Sequence, residues 1–159
     1  PPARPALLAC LAPGRAPLPG ARAPWRTAKD LPCAGQMRPV RSLLESRPIL
    51  IRVPDQSLLA SDPGRGTDHI QATRAGDGSY AFVYSASGKP FTVDLDKLSG
   101  RRLRASWYDP RTGASKTCGT FPRAGKPEFR VPSQGEGLNW VMCLDDEGDG
   151  APPGEGTPQ

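Results

Sequence analysis

Residues 77–113 limit the possible folds of this chain more than any other stretch, because short apolar segments alternate there with turn sequences: DGSYAFVYSASGKPFTVDLDKLSGRRLRASWYDPRTG. Asp77-Gly78 predicts a two-residue hairpin turn, since both turn positions need positive φ and these residue types tolerate it. Residues 91–96 alternate between apolar and polar side chains, which is the period-2 pattern of a half-buried strand. The stretch therefore predicts three successive strands.

The third of these strands separates its apolar and polar side chains onto opposite faces. The apolar face consists of Leu103, Ala105 and Trp107, and the polar face consists of Arg102, Arg104 and Ser106.

Further segments extend the strand pattern on both sides of this stretch. Residues 79–85 and 139–144 are apolar on both faces, so both are predicted to be central strands. The remaining predicted strands are residues 49–53, 69–75, 115–121 and 127–131, the last two lying near sheet edges because of their prolines. About seven or eight short strands at this spacing predict an all-β fold, an antiparallel two-sheet β-sandwich over residues 48–146.

Composition sets the two ends of the chain apart from this middle part. Half of the 20 prolines lie in residues 1–48, and residues 1–24 have no hydrophobic period, which predicts a disordered head. Residues 147–159 are acidic and rich in Gly and Pro, which predicts a disordered tail. Residues 1–47 carry a net charge of +6 and residues 144–159 carry −5, so the basic character comes largely from the N-terminal segment and the composition does not favour a nucleic-acid partner.

Residues 25–47 are predicted to contain a short helix. Met37, Val40, Leu43 and Leu44 fall at helical spacing and form one apolar stripe. Pro39 fits best in the first turn, so the helix is predicted to begin there. No apolar run approaches the roughly 20 residues of a membrane helix, so no membrane partner is predicted.

Three motifs carry a resemblance to a known family. DGSYAFVYSASGKPFTVDLDKLSG, WYDPRTG and GEGLNWVMCLDD together resemble the C-terminal domain that follows an apiosidase-like (β/α)8 barrel in bacterial glycoside hydrolases. The same domain is known as the putative collagen-binding domain of a collagenase. The resemblance covers roughly residues 24–146.

This resemblance implies a non-catalytic accessory domain that packs against a catalytic (β/α)8 barrel, with residues 25–47 corresponding to the last barrel helix. The family's catalytic carboxylates belong to the barrel, and no position here matches them. The resemblance also suggests an extracellular or periplasmic protein. The family's other name implies an alternative, an autonomous module that binds polysaccharide or collagen.

The residues themselves offer few candidates for catalysis. His69 is the only histidine, and a lone histidine at a strand start is either a catalytic base or, more often, a surface or capping residue. Asp94 and Asp96 on one strand face would lie about 6–7 Å apart, a spacing that could suit a glycosidase pair. The alternative is a solvated strand face. No motif for a cofactor is present, so no cofactor is predicted.

Charged clusters and cysteines each leave two interpretations open. The acidic residues Asp145, Asp146, Glu147 and Asp149 could bind Ca²⁺ or form a solvated tail. The basic residues Lys97, Arg101, Arg102 and Arg104 could bind an anionic ligand or solubilise an edge strand. The cysteines show no spacing typical of zinc sites. Cys118 and Cys143 form a disulfide if their strands are neighbours, and otherwise act as two small buried hydrophobes.

Aromatic residues carry the remaining functional prediction, because modules that bind sugar or collagen present flat rings to solvent. Trp107 shares its face with apolar residues and Trp140 begins a central strand, so both are predicted to lie in the core. Tyr108, on the opposite face from Trp107, is the best candidate for exposure. Tyr108 and Tyr84 are therefore the predicted ligand-binding residues.

Overall fold

The computed structural model describes residues 25–28, 30, 32–135 and 137–147. The predicted head and residues 148–159 of the predicted tail lie outside these described residues. Within them the chain forms two α-helices, α1 (Trp25–Ala28) and α2 (Pro32–Glu45), and eight strands. The strands are β1 (Arg52–Pro54), β2 (Ile70–Ala75), β3 (Tyr80–Ser85), β4 (Phe91–Thr92), β5 (Arg102–Tyr108), β6 (Ser115–Pro122), β7 (Glu128–Phe129) and β8 (Trp140–Asp146).

These strands form two antiparallel sheets, which confirms the predicted all-β, two-sheet fold. The larger sheet has six strands in the order β1-β2-β3-β8-β5-β6, and β4 pairs with β7 in a smaller sheet. The main hydrophobic core contains residues of both sheets, among them Val83, Phe91, Leu103, Phe129 and Met142. Neither helix of the described chain combines the length and apolar content that crossing a bilayer requires.

The predicted central strands are confirmed. β3 lies between β2 and β8, and β8 lies between β3 and β5. In β3, Ala81 and Val83 face the main core, while Tyr80 and Phe82 belong to a second apolar cluster on the opposite face of the sheet. Both faces of the strand are therefore covered, which is why both faces of its sequence are apolar.

The hairpin between β2 and β3 is also confirmed, although its turn differs from the predicted one. Gly78 has a φ of +80°, but Asp77 does not adopt positive φ. The Asp77 carboxylate instead accepts hydrogen bonds from the Ser79 N–H (3.0 Å) and hydroxyl (2.8 Å). An aspartate that closes the turn with its side chain needs no left-handed backbone.

Two predicted strands are shorter than the sequence suggested. Only Phe91–Thr92 of the predicted strand over residues 91–96 pairs with β7, and Leu95–Lys97 is a 3₁₀ helix. Ile49–Ile51 is likewise a 3₁₀ helix, and β1 begins only at Arg52. Arg52 pairs with Ala75, the last residue of β2, so the residues before Arg52 have no strand beside them to pair with.

Helix α2 begins at Pro32, so the prediction that it begins at Pro39 is wrong. The Tyr108 hydroxyl donates a hydrogen bond to the Pro39 carbonyl (2.6 Å) and anchors the helix to β5 at this proline. The predicted apolar stripe divides between two environments. Leu43 is buried in the second apolar cluster, whereas Met37 (53% exposed) and Leu44 (36% exposed) face away from the sheet.

Candidate functional site

Exposed apolar side chains are concentrated near the start of the described chain. Among the described residues, seven large apolar side chains are exposed: Met37, Leu44, Ile49, Leu50, Ile51, Val53 and Tyr84. The first six lie within residues 37–53, and we call them the apolar surface. Leu50 is 96% exposed at the centre of the Ile49–Ile51 3₁₀ helix, which we call the turn. Soluble monomers rarely leave so many large apolar side chains uncovered over so short a segment.

A buried ion pair fixes the backbone directly before this turn. Arg47, two residues after α2, donates from Nε to Asp145 Oδ1 (2.8 Å) and from Nη2 to Asp145 Oδ2 (2.5 Å). The side chains are only 8% and 2% exposed. Burial alone would lower the pKa of the Arg47 guanidinium, but the hydrogen bonds and charge of Asp145 outweigh it and raise that pKa above its ordinary value. The end of α2 is thereby attached to the central strand β8.

Three further contacts hold the turn itself. The Tyr80 hydroxyl donates to the Pro48 carbonyl (2.7 Å), and the Gly76 N–H donates to the Ile51 carbonyl (2.7 Å). The Arg52 guanidinium lies 4.7 Å from the centre of the Phe82 ring, within the range of a cation–π contact. The backbone of the turn is therefore fixed on both sides, although its side chains face outward.

Tyr108 is buried, so the prediction that its ring is exposed is wrong. Its side chain is 1% exposed and lies in the second apolar cluster, where burial raises the pKa of its hydroxyl. The alternation of β5 correctly placed Tyr108 on the face opposite Trp107. That face is covered by α2 instead of meeting solvent, and Tyr108 therefore presents no ring surface for a ligand to stack on.

Tyr84 is the other predicted ligand-binding residue, and its ring is 37% exposed. It lies on the same face of β3 as Phe82, one alternation further along the strand. The Asn139 side-chain amide donates to the Tyr84 hydroxyl over 3.4 Å. A ligand role for Tyr84 stays a prediction.

Trp107 and Trp140 lie in or against the core, as predicted. Trp107 is 5% exposed and packs edge-to-face against Trp140, with ring centres 6.4 Å apart. Trp140 is partly buried against the main core and donates from Nε1 to the Ser133 hydroxyl (2.9 Å). The Arg111 guanidinium stands 5.4 Å from the Trp140 ring centre and forms a cation–π contact with this ring.

The candidate catalytic residues have structural partners. His69 follows a 3₁₀ turn, and its Nδ1 lies 3.1 Å from the Gly64 carbonyl. Asp94 and Asp96 do not share a strand face, since Asp94 caps the Leu95–Lys97 3₁₀ helix and accepts a hydrogen bond from the Asp96 N–H (3.3 Å). The strand spacing predicted for a glycosidase pair is therefore wrong.

The predicted acidic cluster is not gathered around a common point. Asp145 is paired with Arg47, Glu147 lies 3.1 Å from Arg102, and Asp149 lies outside the described residues. Within the described residues, no three His, Cys, Asp or Glu side chains are grouped so that they could hold a metal ion.

Two of the four residues in the predicted basic patch have polar partners on the protein itself. Lys97 Nζ donates to the Ser57 carbonyl (2.7 Å) and hydroxyl (2.6 Å), and Arg102 pairs with Glu147. Arg104 Nε is buried and has no hydrogen-bond partner among the described residues.

Cys118 and Cys143 do not form a disulfide. Their strands, β6 and β8, lie on opposite sides of β5 and are not neighbours. Cys143 behaves as the small buried hydrophobe that was the alternative, and burial raises the pKa of its thiol to about 12. Cys118 is exposed on the edge strand, so that alternative does not hold for it.

The exposure of the Ile49–Ile51 segment was the main feature that sequence reasoning missed. The run Ile49-Leu50-Ile51 was interpreted as a strand, and its exposure depends on where β2 ends. Only Pro54, the last residue of β1 at the sheet edge, could have indicated that the strand was short.

Comparison with known proteins gave two kinds of match. A family model described as "Putative collagen-binding domain of a collagenase" matches residues 53–145. One similar solved structure is a glycoside hydrolase with 31% sequence identity and a TM-score of 0.74, covering 92% of this chain and 32% of that chain. Another is a glycoside hydrolase family 5 protein from Bacteroides vulgatus ATCC 8482, with 30% identity and a TM-score of 0.73, covering 91% of this chain and 31% of that chain. This chain thus spans about a third of their length. The comparison with curated proteins gave no match.

Proposed function

This chain belongs to the family described as the putative collagen-binding domain of a collagenase, and we propose that it acts as a non-catalytic accessory domain of a glycoside hydrolase. In this role the sandwich packs against a catalytic (β/α)8 barrel located before it in the parent protein. The helical segment of residues 25–47 and the adjoining strands face that barrel.

The observation that carries this proposal is the difference in length between this chain and its structural neighbours. Nearly the whole of this chain corresponds to about a third of each glycoside hydrolase, which leaves about two thirds of each hydrolase for other domains. The apolar surface supports the same role, because a domain made to pack against a larger neighbour needs an uncovered apolar face.

The state of the ionisable side chains supports a non-catalytic role. A glycosidase needs two carboxyl groups that flank the bond to be broken, with one held protonated by its surroundings. In the described residues Asp145 is neutralised by a buried arginine, and Asp94 caps a 3₁₀ helix and lies 3.4 Å from Lys126. These contacts give both carboxylates a role in stabilising the fold.

Hydrolysis assays on the isolated 159-residue chain test the non-catalytic role. We expect no turnover of aryl glycosides or of gelatin. A contaminating hydrolase is distinguished by comparing the wild-type chain with the His69→Ala and Asp94→Asn variants purified identically. Turnover by the wild-type chain that either substitution abolishes would refute the proposal.

A second candidate function is a binding module for polysaccharide or collagen, which the exposed Tyr84 ring favours. Stacked rings dominate many such contacts, so Tyr84→Ala should abolish binding if the module exists for this purpose. Retention on insoluble polysaccharide and on collagen tests it, with Arg130→Ala as the control because that side chain is exposed beside β7. We expect no saturable retention of the wild-type chain. Retention that Tyr84→Ala removes and Arg130→Ala leaves intact would favour the binding module instead.

A further inference from the structure

We propose that the Ile49–Ile51 turn is a preformed apolar anchor that inserts, with Leu50 at its tip, into an apolar recess of the catalytic domain. This inference rests on the proposed function and specifies which residues make the contact. The sequence pattern pointed to the helical stripe as the contact, whereas the structure directs attention to the turn that follows the helix.

The exposure of the turn is the first reason. Ile49, Leu50 and Ile51 are consecutive, and all three are exposed, Leu50 at 96%. None of them contributes to the core of the described chain, so packing within the sandwich does not explain three aliphatic residues there. Removal of apolar surface from water by a partner does explain them.

The rigidity of the turn is the second reason. Arg47, Tyr80 and Gly76 fix the backbone immediately before the turn and at its end. Burying an ion pair is expensive for a protein, and here the pair secures a segment whose own side chains face outward. A segment whose backbone is already fixed loses less conformational freedom when it docks than a flexible loop would.

The surroundings of the turn resemble the anatomy of an interface. Leu44 and Val53 extend the apolar area on the helix and on β1, at 36% and 41% exposure. The Arg41–Glu45 ion pair lies on the same helix and is well exposed to solvent. An apolar centre with a charged, hydrated border is the usual composition of a domain interface.

The position of the turn in the chain supports the catalytic domain as the partner that covers it. The turn follows α2 and precedes β1 in the first part of the described chain, and the proposed catalytic domain precedes this part in the parent protein. The structural neighbours have about twice this chain's length in additional residues, enough for such a domain. Because a covalently attached domain has a high effective concentration, an anchor of three residues with its neighbours is sufficient.

A domain exchange tests the anchor. The third of the Bacteroides vulgatus glycoside hydrolase that this chain matches is replaced by residues 1–159, and thermal unfolding of this fusion is compared with that of the isolated chain. Leu50→Ser is introduced into both proteins. Arg130→Ser serves as the matched control, since it also shortens a well-exposed side chain, but next to β7.

We expect the sandwich to unfold at a higher temperature in the fusion than in isolation. Leu50→Ser should lower that temperature by roughly 4–9 °C in the fusion, the shift that corresponds to exposing one buried leucine, and should leave the isolated chain unchanged. Arg130→Ser should have the same small effect in both proteins.

Three results would overturn the anchor, and they separate it from the proposed function. If the fusion is stabilised but Leu50→Ser has no effect in it, another surface docks and only the anchor is wrong. If Leu50→Ser destabilises the isolated chain equally, the turn has a structural role within the sandwich. If the sandwich unfolds at the same temperature in both proteins, no docking occurs, and the proposed packing against a barrel fails as well.

Sedimentation velocity of the isolated chain tests the alternative partner, a second copy of the chain. We expect a monomer. A dimer that Leu50→Ser disperses would assign the turn to self-association and overturn the proposal.

Discussion

Removing the carboxylate of Asp145 should strongly destabilise the sandwich. The substitution Asp145→Ala leaves the Arg47 guanidinium without its partner at a position where only 8% of the side chain is exposed. Breaking a buried ion pair in this way costs about 3–5 kcal/mol, because the remaining charge is neither hydrated nor neutralised. A domain of this size has a total unfolding free energy of about 5–15 kcal/mol. The variant should therefore lose a large share of its stability.

Urea unfolding followed by tryptophan fluorescence measures this loss, since Trp107 lies in the core. The double variant Arg47→Met with Asp145→Leu distinguishes a buried charge from lost packing. Replacing both charges by apolar side chains of similar size should restore most of the stability, because no unpaired charge then remains. Glu45→Gln, in the exposed Arg41–Glu45 pair, is the control and should change the unfolding free energy by less than about 1 kcal/mol.

Two results would refute the reasoning about this pair. One is a loss below about 1 kcal/mol for Asp145→Ala, the range of exposed ion pairs. The other is a double variant whose loss equals the sum of the losses of Arg47→Met and Asp145→Leu alone, which would show that the two side chains act independently.

Three further predictions concern single positions. Tyr108→Phe should lower the unfolding free energy by about 1–3 kcal/mol because the Pro39 carbonyl loses its donor, and a urea midpoint equal to that of the wild type would contradict it. Gly78→Ala should lower the urea midpoint, since φ is +80° there and the added Cβ would lie 2.9 Å from the Ser99 nitrogen. In folded protein at pH 8, a thiol reagent followed by peptide mapping should modify Cys118 and leave Cys143 unmodified, because burial raises the pKa of Cys143 to about 12, and labelling of Cys143 at the rate of Cys118 would contradict this.

Local patterns were sufficient to predict the two central strands and the hairpin between β2 and β3. Residues 79–85 and 139–144 are apolar on both faces, and the strands they form, β3 and β8, are central in the six-stranded sheet. The Asp77-Gly78 signal correctly placed a hairpin because turn chemistry acts over a few residues. These features depend on neighbours in the sequence and can therefore be read from it.

The same patterns could not predict contacts between segments that are distant in the sequence. Arg47 and Asp145 are 98 positions apart, and nothing in either local sequence indicates that the two charges meet. Tyr108 was expected to be exposed because alternation assigns a residue to a face without saying what covers that face. In the structure, helix α2 covers the face of the sheet that carries Tyr108. The candidate site is therefore the exposed Ile49–Ile51 turn after the helix instead of the ring of Tyr108.

The exposed turn at residues 49–51 shows a further limit of sequence patterns. A short apolar run between turn signals predicts a strand, but a strand also needs a partner to pair with. The partner strand, β2, ends at Ala75 opposite Arg52. The three residues before Arg52 therefore have no strand to pair with and form an exposed 3₁₀ helix.

Hydrogen exchange, compared between the isolated chain and the fusion with the remaining two thirds of the Bacteroides vulgatus glycoside hydrolase, tests the accessory-domain account most directly. The account predicts that exchange slows on fusion in peptides spanning residues 37–53, and that it slows there more than in peptides that contain Tyr84 or Asn139. Unchanged exchange over residues 37–53 would contradict it, because a catalytic domain docked on the apolar surface must protect that segment.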